Sequence, residues 1–179
     1  MSAAAVFLDR DGVLTEAPVL AGRPQSPRLA SELVILAGAA GACATLRDAG
    51  FRLVCITNQP EIARGGLDPR ELEAMGAMLE RELGLDEVVV CPHDDADCCE
   101  CRKPGPGMIL AAAERLDIDL AASFTVGDRW RDIDAGSAAR TRTVFIDRGY
   151  DEPLRAQPDV VVGGVEEAAG WIVEQTRQR

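Results

Sequence analysis

The sequence lacks the excess of basic residues that proteins use to bind nucleic acids or anionic membranes. Its 179 residues carry 19 Lys and Arg against 30 Asp and Glu, which gives a net charge of −11. Because neutralising phosphate-rich surfaces requires clustered cations, this composition argues against both kinds of partner. We expect such an acidic protein to bind phosphate locally, with a metal ion and a few well-placed cations.

Long apolar runs are also missing. No stretch approaches the length of a membrane span, and the chain does not open with a basic segment followed by an apolar one. We therefore expect a cytoplasmic protein. The length suits one domain with a sizeable core, and no change in composition marks a second, which predicts a single domain over residues 1–179.

Short apolar runs alternate with segments of helical spacing along the chain. The strand-like runs cover residues 6–8, 51–56, 88–90, 123–126, 143–146 and 160–162. The helical patterns cover residues 37–49, 69–83, 106–116, 130–139 and 165–175. This alternation predicts an α/β fold: a single Rossmann-like domain with a mostly parallel sheet of five to six strands, helices on both faces and no cap domain. Residues 16–31, rich in proline, are expected to be an irregular loop.

Acidic residues follow two of the predicted strands. The segment Asp9 to Gly12 comes directly after the first strand, and Asp128 follows the fourth, with Asp132 one helical turn further on. Ligands of open α/β sheets bind at the carboxyl ends of strands, so these acids are placed for chemistry. Taken alone, Asp9 to Gly12 fits a polar turn closed by glycine equally well. Close carboxylates also require a cation or a proton between them.

Four of the six cysteines, and the only histidine, lie within eleven residues. Cys91 and His93 stand opposite Cys99 and Cys101, and three thiolates with one imidazole form the ligand set of a closed, structural zinc site. Cys98 is an alternative fourth ligand. A full set of four ligands predicts a zinc-bound loop that is held in shape and activates no water.

Two cations follow this loop at once. Arg102 and Lys103 could form a phosphate clamp beside a strand end, or could be an ordinary solvated basic pair. The neighbouring metal site favours the clamp. Acids at strand ends, the polar residues Thr57 to Gln59 after the second main strand, and these cations together suit phosphoryl transfer.

The combination of motifs resembles the haloacid dehalogenase superfamily of phosphatases. The matching residues, in order, are Asp9, Asp11 and Gly12, then Thr57, then Lys103, then Gly127 and Asp128 with Asp132. Within that superfamily, the zinc set and the segments 57–59 and 101–104 are similar to the branch that holds the D,D-heptose 1,7-bisphosphate phosphatases and the histidinol-phosphate phosphatases. The resemblance extends over nearly the whole chain.

The resemblance implies a role for each matching residue. Asp9 is the nucleophile that becomes an aspartyl-phosphate, and Asp11 is the acid that protonates the leaving oxygen and later activates water. Thr57 and Lys103 hold the phosphoryl group. Magnesium is held by Asp9, by the main-chain carbonyl of Asp11 and by Asp128. The remaining substrate contacts are expected from Asn58, Gln59, Arg102 and Arg129.

The implied activity is magnesium-dependent hydrolysis of a sugar phosphate, with D-glycero-D-manno-heptose 1,7-bisphosphate as the preferred substrate. Histidinol phosphate is the alternative substrate. A zinc-stabilised binding protein on an inactive phosphatase fold is the non-enzymatic alternative. We expect a monomer that acts on a small phosphorylated metabolite, with Mg²⁺ as catalytic and Zn²⁺ as structural cofactor, and with no nucleic-acid or membrane partner.

Overall fold

The computed structural model describes residues 2–20 and 23–177. The strands are β1 (Ala5–Leu8), β2 (Val19–Leu20), β3 (Arg23–Pro24), β4 (Arg52–Asn58), β5 (Glu87–Cys91), β6 (Phe124–Gly127), β7 (Arg142–Ile146) and β8 (Val160–Val162). The α-helices are α1 (Ala39–Asp48), α2 (Pro69–Leu83), α3 (Gly107–Leu116), α4 (Trp130–Ala138) and α5 (Val165–Arg177). Within the described part of the chain, no helix combines the length and the apolarity needed to cross a membrane.

Six strands form one sheet in the order β5, β4, β1, β6, β7, β8, and every neighbouring pair is parallel. Strand β1 lies near the centre of the sheet and is buried on both faces. Its residues Val6 and Leu8 join the core formed with α1, α2 and α5, whereas Ala5 and Phe7 join the core formed with α3 and α4. Successive side chains of a strand point to opposite faces, so one apolar run serves both cores.

The predicted fold class is confirmed: the described residues form a sheet of six parallel strands with five α-helices on its two faces. Helix α2 begins and ends at residues that favour these positions. Asp68 accepts a hydrogen bond from the Arg70 amide at 2.9 Å, Pro69 takes the first helical position, and Gly84 ends the helix with φ of 63°.

The prediction of an irregular loop over residues 16–31 is wrong in part. Strands β2 and β3 pair antiparallel there, and residues 30–32 form a 3₁₀ turn. Residues 21 and 22 lie outside the described part of the chain. Two-residue strands carry no periodicity, so a sequence pattern cannot distinguish them from loop.

A small residue in α4 allows this helix to pack close to the sheet. A Cβ added at Gly136 would lie 2.7 Å from Thr125 Cβ and 2.8 Å from Thr143 Cγ2, and both threonines are buried. Glycine therefore sets the distance between α4 and strands β6 and β7, because real Cβ atoms do not approach a neighbour that closely.

We expect Gly136→Ala to lower the free energy of unfolding by about 1–3 kcal/mol through overpacking. Gly170→Ala is the matched control, because a Cβ at this exposed position of α5 meets nothing within 4 Å. The control should gain up to about 1 kcal/mol from helix propensity. Urea unfolding of both variants measures the difference, and equal stability of the two would contradict the packing role of Gly136.

Candidate active site

The carboxyl ends of β1, β4 and β6 meet at one edge of the sheet and gather the predicted acids. Asp9 follows β1 and Asp128 follows β6, and each offers an oxygen within 4.8 Å of the other and of an oxygen of Asp132. All three carboxylates are buried. Asp132 lies at the third position of α4, where its Oδ2 also accepts a hydrogen bond from the Arg129 amide at 3.0 Å. Asp132 therefore belongs both to the first turn of α4 and to the acidic cluster.

Lys103 is the cation inside this cluster and the only lysine of the sequence. Its Nζ donates to Asp9 Oδ1 at 2.8 Å and to the Ile56 carbonyl at 2.8 Å, and it lies 2.6 Å from Asp132 Oδ1. Asn58 fixes the main chain of Lys103, because its amide donates to the Lys103 carbonyl at 2.9 Å and accepts from the Lys103 amide at 3.0 Å. Both polar atoms of Asn58 are thus used to present the lysine.

Burial changes the acidity of these groups. Burial first, and then the charge of Asp132, raises the pKa of Asp9 to about 7 even though Lys103 lowers it. Burial first, and then the charges of Asp9 and Asp132, raises the pKa of Asp128 to about 8. Burial lowers the pKa of Lys103, but the carboxylates of Asp132 and Asp9 outweigh it, so the net shift is upward and the ammonium stays charged.

The cluster fits a divalent cation bound through oxygen. Three buried carboxylates face one ammonium, which leaves excess negative charge in a site of low dielectric. Neither oxygen of Asp128 has a hydrogen-bond partner of normal geometry among the described residues, although the Tyr150 hydroxyl faces this carboxylate. A Cβ at Gly12 would lie 1.8 Å from Asp128 Oδ2, so only glycine leaves that oxygen room. Magnesium prefers such hard oxygen ligands.

Asp11 is held by several donors on the wall of the same pocket. Arg10 forms a fork on it, with Nε 3.0 Å from Oδ1 and Nη2 2.9 Å from Oδ2. Ser26 donates to Oδ2 at 2.7 Å and Gln59 Nε2 at 3.0 Å, while Thr15 donates to Oδ1 at 3.2 Å. The two-pronged guanidinium contact fixes the orientation of the Asp11 carboxylate.

Thr57 and Gln59 complete the small pocket around Asp9. Thr57 is buried, lines the pocket and accepts a hydrogen bond from Gln59 Nε2 at 2.9 Å. Gln59 is itself fully buried, so its amide links Thr57 to Asp11 from behind. The substrate contacts expected of Asn58 and Gln59 remain predictions, and the contacts described above give each residue a supporting role.

The predicted zinc ligands converge on one point. The Sγ atoms are separated by 3.2 Å (Cys91 to Cys101), 3.4 Å (Cys99 to Cys101) and 3.7 Å (Cys91 to Cys99), and His93 Nδ1 lies 3.3 Å from Cys101 Sγ. Zinc-to-sulfur bonds of about 2.3 Å place tetrahedral sulfur ligands about 3.8 Å apart. The separations here are close to that edge length, so the cluster could hold zinc.

Cys98 does not belong to this group of converging ligands. It is exposed, it adopts a left-handed conformation with φ of 47°, and its Sγ lies 3.9 Å from the Asp95 carbonyl. The four ligand atoms that lie within 4.8 Å of one another come from the other residues of the motif. The geometry therefore favours Cys99 over Cys98 as the partner of Cys101.

A cavity of about 520 Å³ adjoins the small pocket of about 80 Å³ that Asp9 lines. Five arginines from four parts of the chain line the larger cavity: Arg28, Arg64, Arg102, Arg129 and Arg131. Each of the five contacts a carboxylate. Arg129 pairs with Glu152, and Arg64 pairs with both Glu61 and Asp94. The predicted substrate residues Arg102 and Arg129 thus lie together on one wall, next to the acidic cluster.

Sequence reasoning missed three contributors to this region. Arg10 is almost fully buried and pairs with its neighbour Asp11, although an arginine between two aspartates gives no sign of burial. Asp95 contacts Arg102, and Arg131 lines both cavities. A signal existed for Arg131, because it stands within the same segment as Arg129 and one helical position before Asp132.

Several known proteins resemble this chain in sequence over most of its length. A family model described as HAD-hydrolase-like matches residues 100–168. The chain is 34% identical to the D-glycero-beta-D-manno-heptose-1,7-bisphosphate 7-phosphatase of Yersinia pestis over 96% of this chain and 90% of that protein. It is 33% identical to the D-glycero-D-manno-heptose-1,7-bisphosphate 7-phosphatase of Chlorobaculum tepidum over 99% of this chain and 98% of that protein.

Solved structures give the same picture. The D,D-heptose 1,7-bisphosphate phosphatase of B. bronchiseptica, crystallised with magnesium and phosphate, superposes with a TM-score of 0.77 at 30% identity and covers 96% of this chain and 99% of that one. The corresponding enzyme from Burkholderia thailandensis gives a TM-score of 0.66 at 28% identity, with 95% and 98% covered. The likeness therefore extends over sequence and fold together.

The raised pKa values of Asp9 and Asp128 predict how stability depends on pH without magnesium. The pKa values of Asp9 and Asp128 rise from 3.8 to about 7 and about 8 on folding, so the folded state binds more protons than the unfolded state between these limits. Stability should therefore fall as pH rises from about 4 to about 8. We expect the Tm in zinc-containing, magnesium-free buffer to drop, and added Mg²⁺ to raise Tm more at pH 8 than at about pH 5.

Asp128→Asn provides the control for this measurement, because it removes one of the titrating groups. Its Tm should depend less steeply on pH and respond less to Mg²⁺. A Tm for the unsubstituted protein that rises between about pH 5 and 8 without magnesium would contradict the uptake of protons on folding.

Proposed function

Because the chain belongs to the haloacid dehalogenase family of phosphatases, we propose that its substrate is a sugar bisphosphate, D-glycero-D-manno-heptose 1,7-bisphosphate, from which it removes the 7-phosphate. The family resemblance drawn from the motifs is confirmed, and the chain is a phosphoric monoester hydrolase. We propose that residues 1–179 act as one phosphatase domain and as a monomer.

The observation that supports the bisphosphate is the arginine-lined cavity beside the small pocket. A substrate whose reacting phosphate lies at Asp9 extends into this cavity, where guanidinium groups suit a second phosphate. We propose that Arg102 and Arg129 contact the part of the substrate beyond the reacting phosphate. Histidinol phosphate offers a cationic amine in place of a second phosphate, and arginines would repel it.

Asp9 is proposed as the nucleophile. Lys103 Nζ and the Arg10 amide both donate to its Oδ1, at 2.8 Å each, so Oδ2 is the oxygen left to attack phosphorus. The new bond from Oδ2 to phosphorus forms as the ester bond to the sugar oxygen breaks. Thr57 and Lys103 are proposed to hold the phosphoryl oxygens while the charge is redistributed.

Asp11 is proposed to act first as a general acid and then as a general base. In its protonated form it would donate the proton to the departing sugar oxygen, and in its ionised form it would then take a proton from the water that attacks the aspartyl-phosphate. The Arg10 fork holds the Asp11 carboxylate in place for both steps. Inorganic phosphate then leaves and Asp9 is regenerated.

The metal assignments are part of the same proposal. Asp9, Asp128 and the main-chain carbonyl of Asp11 would hold Mg²⁺, which when bound stabilises negative charge on the phosphoryl oxygens. Asp132 lies in the same carboxylate cluster but contacts Lys103, which favours a role in placing the lysine. Cys91, His93, Cys99 and Cys101 would hold a structural Zn²⁺ next to Arg102.

Removing one thiolate tests the zinc assignment. We expect Cys99→Ser to lose most of the bound zinc and to lower Tm by about 5 °C or more, because a four-ligand site folds together with its ion. Cys98→Ser is the matched control, since this neighbouring cysteine is exposed and points away from the cluster. Zinc content by mass spectrometry and Tm are measured for both variants. If only Cys98→Ser lost zinc, Cys98 and not Cys99 would be the ligand.

A comparison of substrates tests the function. With magnesium present, kcat/KM for heptose 1,7-bisphosphate should exceed that for histidinol phosphate and for hexose monophosphates by about tenfold or more. Asp9→Asn should abolish hydrolysis of every substrate, while Asp48→Asn, an exposed position at the end of α1, should not change the rates. Faster turnover of histidinol phosphate would overturn the substrate, and phosphate release by Asp9→Asn would overturn the nucleophile.

A further inference from the structure

We propose that Arg131 binds the second phosphate of the substrate and determines the preference for a bisphosphate, with Asp95 as the residue that positions it. This inference rests on the proposed function and adds to it a residue that the family motifs leave out. Arg131 is the second residue of α4, and its side chain lines both the small pocket around Asp9 and the arginine-lined cavity. It therefore lies at the boundary between the two.

Three contacts fix the Arg131 side chain. Its Nη1 lies 3.4 Å from the Lys103 carbonyl and 3.4 Å from Asp95 Oδ1, and its guanidinium carbon lies 4.7 Å from the centre of the Trp130 ring. Arg155, from the segment between β7 and β8, also lies over this ring, at 3.5 Å. Cation–π contacts of this kind restrain an otherwise flexible side chain. The restraint lowers the entropy lost when Arg131 binds an anion.

Asp95 joins Arg131 to Arg102. The same oxygen, Oδ1, accepts from Arg102 Nε at 2.8 Å and from Arg131 Nη1. Asp95 lies in the loop between His93 and Cys99, so it connects the predicted zinc loop to α4. A single carboxylate between two guanidinium groups reduces their repulsion and holds them on the same wall.

The balance of charge distinguishes this pair from the other arginines of the cavity. Arg129 has its own carboxylate in Glu152. Arg64 contacts Glu61 and Asp94, and Arg28 also reaches Glu61, at 3.8 Å, so these two arginines face two carboxylates. Arg102 and Arg131 share Asp95, so the pair keeps a net positive charge.

Donor groups also remain available on this pair. Among contacts to described residues, no hydrogen bond engages Nε or Nη2 of Arg131 or Nη2 of Arg102. These groups can donate to a phosphate that carries several acceptor oxygens. The geometry therefore favours this pair as the place where the second phosphate binds.

The test compares two substrates that differ only in the second phosphate. For Arg131→Ala, the ratio of kcat/KM for heptose 1,7-bisphosphate to that for heptose 7-phosphate should fall by about tenfold to a hundredfold. Arg131→Lys should retain part of the ratio because it keeps the charge and loses the fork. Asp95→Asn should raise KM for the bisphosphate and leave kcat within about twofold, as expected of a positioning residue. Arg81→Ala, an exposed arginine of α2, is the matched control.

Calorimetric titration of the holoenzyme with heptose 1-phosphate, the product that keeps the second phosphate, gives a readout independent of turnover. Arg131→Ala should weaken its binding by about tenfold or more. If the unsubstituted enzyme prefers the bisphosphate and Arg131→Ala retains both the preference and the affinity, the inference is wrong and the proposed function stands. If the unsubstituted enzyme shows no preference for the bisphosphate and does not bind heptose 1-phosphate, both the inference about Arg131 and the proposed substrate are wrong.

Discussion

The ion cluster at the end of β1 is the constraint on which the rest of the structure depends. Three carboxylates are buried around one ammonium, and each must stay within reach of a compensating charge because water cannot stabilise it. Lys103 reaches Asp9 and Asp132 at hydrogen-bond distance, and Asn58, at the end of β4, fixes the main chain of Lys103. In the proposed function, the excess negative charge that remains attracts a divalent cation and, through it, a phosphate.

This requirement explains why the cysteine-containing loop stands where it does. Lys103 follows Cys101 by two residues, so any displacement of the loop would move the ammonium out of the acidic cluster. The same loop provides Asp95 and Arg102 on its outer side. One segment therefore supplies the ammonium of the acidic cluster and two residues of the larger cavity, which couples the shape of the loop to both pockets.

Much of the fold and of the site followed from local patterns. Strand runs, the Asp68 cap and the acids after β1 and β6 depend on near neighbours in sequence, and parallel strands bring their ends together without further information. Side-chain pairing across distant segments could not be predicted. Arg10 is buried because α2 covers it, with Met75 Sδ 3.6 Å from its Nη1, and Asp95 meets Arg131 only once the loop has folded against α4. The short strands β2 and β3 could not be predicted either, because two residues carry no periodicity.

The use of a single lysine has a consequence for the chemistry of the surface. The other 18 basic residues are arginine, and the lysine is 3% exposed, so no side-chain primary amine is open to solvent. An amine-selective acylating reagent therefore finds no exposed lysine side chain while the acidic cluster stays closed. The rate at which Lys103 becomes acylated therefore reports how often the acidic cluster opens, because every other residue of the Lys and Arg group is an arginine.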